Sequence, residues 1–319
     1  MVRWLPVFFI GLVMIACALT PTIASNPPLS SAPSNNPIST PPPTNTSTPQ
    51  SLPSPTHAPS PTAPAVPRPD HVVVVIFENH GYAGIIGDAC CPYLNQLAKA
   101  SALMTRSFAV THPSQPNYLA LFSGSNQGVT DDTCPPPGSP FATPNLGQQL
   151  LDAGFSFTGF AEDLPDTGAI NCSASTYALK HVPWAEFSNV PSEDSQPFSS
   201  FPADFSTLPT VSFVTPNLCN DMHDCGPDTG DAWLSSQLDS YVQWAEDNNS
   251  LFIVTFDEDD YHGTNQIFTF FTGPMVQPGQ YNERINHYNV LRTLEALYGL
   301  PYAGQAAHAA TITDIWKST

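Results

Sequence analysis

The sequence predicts an α/β domain in which helices flank a largely parallel central sheet. Five short runs rich in β-branched and aromatic residues are almost continuously apolar, as strands buried on both faces are. Between them lie stretches with apolar residues at helical spacing, and such alternation is typical of a parallel sheet. The strand-like runs span 71–77, 155–161, 210–215, 251–256 and 267–273, and the helical patterns span 92–103, 145–154 and 231–248.

A long segment that cannot form a core precedes this domain. The opening residues, MVRWLPVFFIGLVMIAC, combine a basic start with an apolar run too short to span a bilayer, so we expect a secretory signal over 1–24. Cleavage at a lipobox ending at Cys17 would leave a lipidated cysteine, and an ordinary site after Ala24 is the alternative. We favour Cys17 because 25–69, rich in Pro, Ser and Thr, suits a disordered tether. The folded domain is therefore expected over 70–319, on an exported protein at the cell surface or outside the cell.

The charge of the chain limits its partners. Its 27 acidic and 8 basic residues give a net charge of −19, which argues against binding to nucleic acid and against adhesion to anionic lipid headgroups. We expect membrane contact only through the N-terminal anchor, and we expect a monomer. Because lysine and arginine are so few, a metal ion is the simplest source of positive charge for an anionic substrate.

The cysteines indicate disulfides in an exported protein. Of the seven cysteines, all except Cys17 lie in the expected domain, and no CxxC pair is present to suggest a zinc site. The adjacent Cys90 and Cys91 would form a strained bond with each other or need two separate partners. The predicted pairs are Cys219 with Cys225, which are close in sequence, and Cys134 with Cys172.

Acidic and metal-binding residue types follow four of the predicted strands. In open α/β sheets, sites form beyond the carboxyl ends of the strands, so these side chains should meet at one edge. Each group alone would fit a solvated turn. Together they favour a metal site, because gathered carboxylates repel one another and a divalent cation removes that cost. The groups are Glu78-Asn79-His80, Glu162-Asp163, Asn217 with Asp221-Met222-His223-Asp224, and Asp257-Glu258-Asp259-Asp260.

The segment THPSQPNYLALFSG, at 111–124, places Ser114 at the start of a predicted helix. Serine is a good N-cap and proline suits the first helical turn, so on its own the segment fits an ordinary helix start without chemistry. A serine at a helix N-terminus can also be a nucleophile, because the free amide groups there stabilise negative charge.

Taken together, several long segments resemble the phosphoesterase family of acid phosphatases and bacterial phospholipases C, within the alkaline-phosphatase-like superfamily. The resemblance covers nearly all of 71–315, and the segments occur in the family's order. They are VVVVIFENHGY, CPYLNQLA, THPSQPNYLALFSG, YALKHVPW, FVTPNLCNDMHDC, FDEDD and NHYNVLRTLEALYGLP. The resemblance implies an alkaline-phosphatase-like fold and a metal-dependent hydrolase that acts on a small-molecule or phospholipid phosphate ester.

The resemblance also implies roles for individual residues. Ser114, at the N-cap, would be the nucleophile that forms a phosphoseryl intermediate, and Asn117 would donate to the phosphoryl oxygens. The implied metal ligands are Glu78, Asn79, Ser114, Asp257 and Glu258, with Asp221, His223 and His287 as less direct matches. The residues expected to face the phosphate are Lys180, His181 and His112. The ion would be Mg, Ca, Mn or Zn, because oxygen ligands suit the first three and histidine favours zinc.

Two other functions stay open. A lipid-anchored binding module would share the fold without catalysis, although the nucleophile and the carboxylates are all present in this sequence. A phosphotransferase is the second alternative, and the lack of a multi-span membrane region argues against the headgroup transferases. A sulfatase is disfavoured because the arginine of the sulfatase motif C/S-x-P-x-R is missing after Ser114.

Overall fold

The computed structural model describes residues 66–318, so the predicted signal peptide and most of the predicted tether lie outside the described residues. The α-helices are α1 (Tyr82–Ile85), α2 (Pro92–Ala100), α3 (Ser114–Ser123), α4 (Leu146–Asp152), α5 (Pro227–Asp247) and α6 (His287–Leu297). The strands are β1 (His71–Phe77), β2 (Ala102–Met104), β3 (Ser107–Phe108), β4 (Phe157–Ala161), β5 (Ser173–Ala174), β6 (Tyr177–Ala178), β7 (Ser195–Pro197), β8 (Val211–Thr215), β9 (Ser250–Phe256), β10 (Gln266–Ile267), β11 (Thr269–Thr272), β12 (Gly279–Tyr281) and β13 (Ile285–Asn286). Short 3-10 helices lie at Leu179–His181, Pro183–Glu186, Ser192–Asp194, Phe198–Ser200, Phe205–Thr207 and Gly304–His308.

An eight-stranded sheet forms the centre of the domain, in the order β12-β2-β11-β9-β1-β8-β4-β7. The strands from β9 to β7 pair in parallel, and β11 is antiparallel to both of its neighbours. At the centre, Val72 lies opposite Val211 on one side and Leu251 on the other. The predicted fold class, a largely parallel sheet flanked by helices, is confirmed.

Helices cover both faces of this sheet, which explains the unbroken apolar runs of the central strands. Alternate residues of β1 point to different faces, and Val72 and Val73 belong to two separate cores in which both are fully buried. Helices α3 and α6 pack into the first core, while α2 and α5 pack into the second. A strand buried on both faces has no solvent side, so its sequence need not alternate.

Two predicted elements end or divide where the apolar sequence pattern continues. The predicted strand 267–273 is divided, because β10 pairs with β3 in a small second sheet whereas β11 pairs with β9 and β2. The predicted helix 92–103 ends at Ala100, and Ser101 takes an extended conformation that leads directly into β2. In both places pairing with a distant strand outweighs the local pattern, since intrinsic propensity is a weak preference.

Both predicted disulfides are present. Cys134 is bonded to Cys172, and Cys219 is bonded to Cys225. Cys90 and Cys91 are free thiols whose sulfur atoms lie 2.7 Å apart, and the predicted need for two separate partners is not met among the described cysteines.

The described chain begins against the domain. Val66 packs on the core, the Arg68 guanidinium lies 4.9 Å from the centre of the Phe155 ring, and the Pro69 carbonyl accepts a hydrogen bond of 3.1 Å from the Tyr298 hydroxyl. Residues 66–69, predicted to end the tether, are therefore in contact with the domain. None of the helices in the described range combines the length and the apolar character needed to cross a bilayer.

Candidate active site

The ends of the central parallel strands meet at one edge of the sheet, as predicted. Glu78 follows β1 and Asp257 follows β9, and these two strands are neighbours. The Asn79 N–H donates to Asp257 Oδ1 at 3.1 Å, and the Glu78 N–H donates to the Asp221 carbonyl at 2.8 Å. Hydrogen bonds from backbone N–H groups therefore hold the segments of Glu78, Asp221 and Asp257 together.

The Ser114 hydroxyl contacts the carboxylates at this edge of the sheet. The residue is 2% exposed, and its Oγ donates to Glu78 Oε2 at 3.0 Å and lies 3.4 Å from Glu258 Oε1. The predicted N-cap role is wrong, because Pro113 occupies the cap and Ser114 is the first residue of α3. Its hydroxyl points to the carboxylates and makes no capping hydrogen bond. The backbone N–H of Gln115, in the first turn of α3, donates to Asp132 Oδ1 at 3.0 Å. One of the backbone amides expected to hold phosphate is therefore already hydrogen-bonded.

Unpartnered oxygen atoms surround this serine. Glu78 Oε1, Asn79 Oδ1 and Asp257 Oδ2 are buried and accept no hydrogen bond, although His181 Nε2 lies 3.1 Å from the Glu78 atom without hydrogen-bond geometry. Burial of an unpaired carboxylate is costly unless a cation or donor compensates it. Carboxylate and amide oxygens are the ligands that Mg²⁺, Ca²⁺ and Mn²⁺ prefer, so this donor set fits the implied metal ion.

The electrostatics of the carboxyl groups support the same interpretation. Burial, together with the neighbouring Asp257 and Asp221, raises the pKa of Glu78 well above its ordinary value. Burial also raises the pKa of Asp257 to about 7 and that of Asp221 to about 8. Burial and the charge of Asp257 raise the pKa of Glu258 to about 9. Without a cation, these groups resist ionisation, and a divalent ion would reverse that preference.

His181 lies between two of these carboxylates, whereas the resemblance implied that it faces the phosphate. Its Nδ1 is 2.9 Å from Asp221 Oδ2, and its Nε2 is 3.1 Å from Glu78 Oε1. Ligand atoms of Glu78, His181 and His223 all lie within 4.8 Å of one another. Burial, together with the charge of Lys180, lowers the pKa of His181 well below its ordinary value. The neutral imidazole is the form that binds metals, so His181 fits a ligand position better than a phosphate contact.

Asn117 and His287 make hydrogen bonds that their predicted roles did not include. The buried Asn117 amide donates to the Thr111 and Pro113 carbonyls at 2.9 and 3.1 Å, so it braces the loop before Ser114 instead of offering these donors to a phosphate. His287, an implied metal ligand, lies at the start of α6, and its Nε2 is 2.7 Å from the Asp257 carbonyl. Nε2 therefore supports the end of β9, whereas Nδ1 is buried and has no hydrogen-bond partner, so the ligand role of His287 stays a prediction.

Lys180 and His112 contact different carboxylates of the acidic group. The Lys180 ammonium donates to Asp132 Oδ2 at 2.9 Å and is 3.1 Å from His223 Nε2. Burial opposes its charge, but the bond to Asp132 prevails and raises the pKa of Lys180 above its ordinary value. His112 contacts Glu258 Oε2 through Nδ1 at 2.7 Å. Lys180 therefore supplies a fixed positive charge next to His223.

A pocket of about 360 Å³ opens above the nucleophile, and several of its residues were not predicted from the sequence. Asp132 comes from a loop between α3 and α4 with no recognisable motif. Tyr261 directly follows the acidic FDEDD segment, and its position after that segment is the signal that could have identified it. The lining residues are Asn79, Pro113, Ser114, Asp132, His223, Glu258, Asp260 and Tyr261.

Glu162, at the end of β4, supports the site from outside. Its carboxylate accepts hydrogen bonds from the Asn217 N–H, the Asn220 amide and the Trp233 indole at 2.9 to 3.0 Å. These contacts hold the disulfide-closed loop that carries Asp221 and His223. Glu162 therefore positions Asp221 and His223 and is not itself part of the acidic group around Ser114.

Comparison with known proteins identifies the class of this site. The model of the Phosphoesterase family matches residues 88–301. The chain belongs to this family. It is a hydrolase of phosphoric esters, as predicted, and the matched range includes the Ser114 helix and the acidic ends of β8 and β9.

Individual relatives agree with this assignment. A phosphatidylinositol-3-phosphatase of Mycobacterium tuberculosis is 56% identical over 256 residues, which cover 80% of this chain and 85% of that protein. A probable acid phosphatase of Kluyveromyces lactis is 30% identical over 264 residues, covering 76% of this chain and 61% of that longer protein. A solved structure from Vibrio parahaemolyticus, of the alkaline phosphatase superfamily, has a TM-score of 0.54 at 13% identity and covers 77% of this chain and 71% of that one. This last likeness supports the predicted fold.

Proposed function

We propose that this protein is an exported, metal-dependent phosphatase that acts through a phosphoseryl intermediate on Ser114. The observation that carries the proposal is the position of the Ser114 hydroxyl, 3.0 Å from Glu78 Oε2, among the unpartnered oxygens of Glu78, Asn79 and Asp257. A serine hydroxyl is a weak nucleophile, and it needs either a base or a cation nearby to react. Glu78 offers the base, and the unpartnered oxygens offer a place for the cation.

The residues of the site suggest how the reaction proceeds. A divalent ion held by Glu78, Asn79, Asp257 and Glu258 would supply positive charge that lowers the pKa of the serine hydroxyl and offsets the charge of the phosphate. The Ser114 proton lies on the hydrogen bond to Glu78 Oε2, so this carboxylate is placed to accept it as Oγ attacks phosphorus. In-line attack breaks the bond to the leaving alcohol, whose oxygen takes a proton from water. A second water then hydrolyses the phosphoserine, which releases inorganic phosphate and restores Ser114.

Lys180 would hold the phosphoryl group next to His223. Lys180 is the cation nearest to the acidic group, and its bond to Asp132 keeps it oriented towards His223. Its charge would favour an anionic phosphoryl group at the mouth of an otherwise acidic site.

The most similar relative described above suggests a substrate. That protein is named for a phosphatase activity on phosphatidylinositol 3-phosphate, and it matches 80% of this chain. We therefore propose that an inositol lipid phosphate is a substrate here, with soluble phosphate monoesters as alternatives. Export is supported by the two disulfides. The proposed lipid anchor at Cys17 lies outside the described residues.

A substrate panel tests this proposal. The purified protein is freed of metal with a chelator, and then monoesters and diesters are supplied with Mg²⁺, Ca²⁺, Mn²⁺ or Zn²⁺ in turn. We expect monoester hydrolysis that the chelator abolishes and a cation restores, and Ser114→Ala should lower kcat by about 10⁴ or more. Hydrolysis that is unaffected by chelation would contradict the metal dependence. Binding of phosphate esters without turnover would favour the binding module.

A further inference from the structure

Tyr261 presents an exposed aromatic ring beside the nucleophile. Although 62% of its surface is exposed, the residue lines the same pocket as Ser114 and Glu258. Nearly all other large apolar side chains in the described part of the chain are at least partly buried, with Ile170 and Tyr302 as the other exposed ones. A ring left open to solvent next to a reactive group is a surface on which a ligand can pack.

The ring is held in one place by several contacts. The Tyr261 backbone lies in the left-handed region with φ at 63°, which is unfavourable for a tyrosine and persists only where the surroundings enforce it. Its N–H donates to Asp259 Oδ1 at 2.9 Å. The ring stacks on His112 with the centroids 4.0 Å apart and an interplanar angle of 25°. His112 is itself fixed by Glu258 at 2.7 Å and by Asp259 at 3.3 Å.

The charges around the ring limit what can pack against it. Asp132, Glu258 and Asp260 line the same pocket, and the charge of Asp132 is balanced by Lys180. A second anionic group near Tyr261 would meet carboxylates and be repelled. Hydroxyl groups, in contrast, would find carboxylate oxygens that accept hydrogen bonds, while the face of a neutral ring would pack on the tyrosine.

We propose, on the basis of the function proposed above, that Tyr261 and His112 form a subsite for the leaving alcohol and that this subsite selects a polyhydroxylated six-membered ring with hydroxyl groups next to the reacting phosphate. The phosphoryl group would lie at Ser114, and the ring that carries it would lie over Tyr261. Acyclic alcohols gain less binding energy at this subsite because they have no ring face to pack on Tyr261. Rings with further phosphates next to the reacting one are disfavoured by Asp260 and Glu258.

The test compares two phosphate esters of secondary alcohols that differ in shape. myo-Inositol monophosphate carries the ring and glycerol 2-phosphate does not, so the ratio of their kcat/KM values measures ring selectivity. Tyr261→Ala should lower this ratio about five- to tenfold, mainly through a higher KM for the inositol ester, which is the size of effect expected for a lost ring contact. Tyr261→Phe keeps the ring and should keep the ratio. Tyr302→Ala, which removes an exposed tyrosine that does not line the pocket, should keep it as well.

Two kinetic results would overturn the subsite. The first is an unchanged ratio in Tyr261→Ala. The second is an equal loss of kcat for both esters, which would mean that the ring only supports His112 and Glu258.

A binding measurement separates failure of the subsite from failure of the proposed reaction. Calorimetric titration of Ser114→Ala with myo-inositol monophosphate should give an affinity that the further change Tyr261→Ala weakens about five- to tenfold. If the wild-type protein turns over neither ester, the phosphatase proposal fails, and Tyr261-dependent binding would still support the subsite. Equal affinities with and without Tyr261, or no binding at all, would contradict it.

Discussion

Replacing Asp257 by asparagine should stabilise the metal-free protein and weaken its response to metal. Asp257 is buried, its Oδ1 accepts a hydrogen bond from the Asn79 N–H, and its Oδ2 has no partner. Asparagine keeps an oxygen for that N–H and has nearly the same volume. The substitution therefore removes one negative charge from the carboxylate group without opening a cavity.

The size of the effect follows from the pKa of Asp257. Burial raises it from 3.8 to about 7, a difference of about three units, which corresponds to about 4 kcal/mol at pH 8. The pKa of Asp257 is higher in the folded state than in the unfolded state, so ionisation of this carboxyl destabilises the fold. This cost is absent below the ordinary pKa and complete only above about 7. The side-chain NH₂ group of the asparagine takes the place of Oδ2 and has no acceptor there. Burying it without a partner costs about 1–3 kcal/mol. We expect a net gain of about 1–3 kcal/mol in the free energy of unfolding.

Urea unfolding at pH 8 measures this gain, first with chelator and then with increasing divalent cation. In chelator Asp257→Asn should be the more stable protein. Added cation should stabilise the wild type by about 2.7 kcal/mol at a hundredfold excess over Kd, and the variant by much less. Asp166→Asn, which removes an exposed charge, should change neither value. A variant that is less stable than wild type in chelator, and gains as much from cation, would refute the reasoning.

Two further predictions concern the supports of the site. Glu186 Oε1 accepts a hydrogen bond of 2.6 Å from the side chain of Gln115, next to Ser114. Burial raises the pKa of Glu186 to about 8, so its contribution to stability is lost as pH rises towards that value, at up to about 1.4 kcal/mol per pH unit. Glu186→Gln should flatten this slope in urea unfolding, and an identical slope would show that the carboxyl is already ionised. Converting Cys219 and Cys225 to serine should raise the cation concentration needed for activity, because their bond closes the loop that carries Asp221 and His223. Removing Cys134–Cys172 should instead cost more stability, since it closes a longer loop of 38 residues against 6, and the reverse pattern would contradict this assignment.

The sequence predicts the sheet and its acidic edge well because both depend on local patterns. Continuous apolar runs such as 71–77 identify strands buried on both faces, and the residue after each run must then lie at the strand end. This is why Glu78 and Asp257 could be placed together before any contact was known. The position of Ser114 at the start of α3 follows from its proline-containing helix start in the same way.

Roles that depend on contacts between distant loops could not be predicted. Nothing near His181 indicates that its two nitrogens lie beside Glu78 and Asp221, because those contacts span three separate strand ends. Asn117 was misassigned for the same reason, since its hydrogen bonds go to a loop whose path the sequence does not define. The division of 267–273 likewise depends on which strands lie beside it.

The central claim is that phosphate is transferred to Ser114, and trapping the intermediate tests it most directly. The metal-loaded protein is mixed with an activated phosphate monoester, quenched in acid during turnover, digested and analysed by mass spectrometry. We predict that phosphate is found on the peptide that contains Ser114, at that residue, and that Ser114→Ala shows neither the modification nor turnover. Steady turnover with phosphate on another residue, or in a well-folded Ser114→Ala protein, would contradict the account.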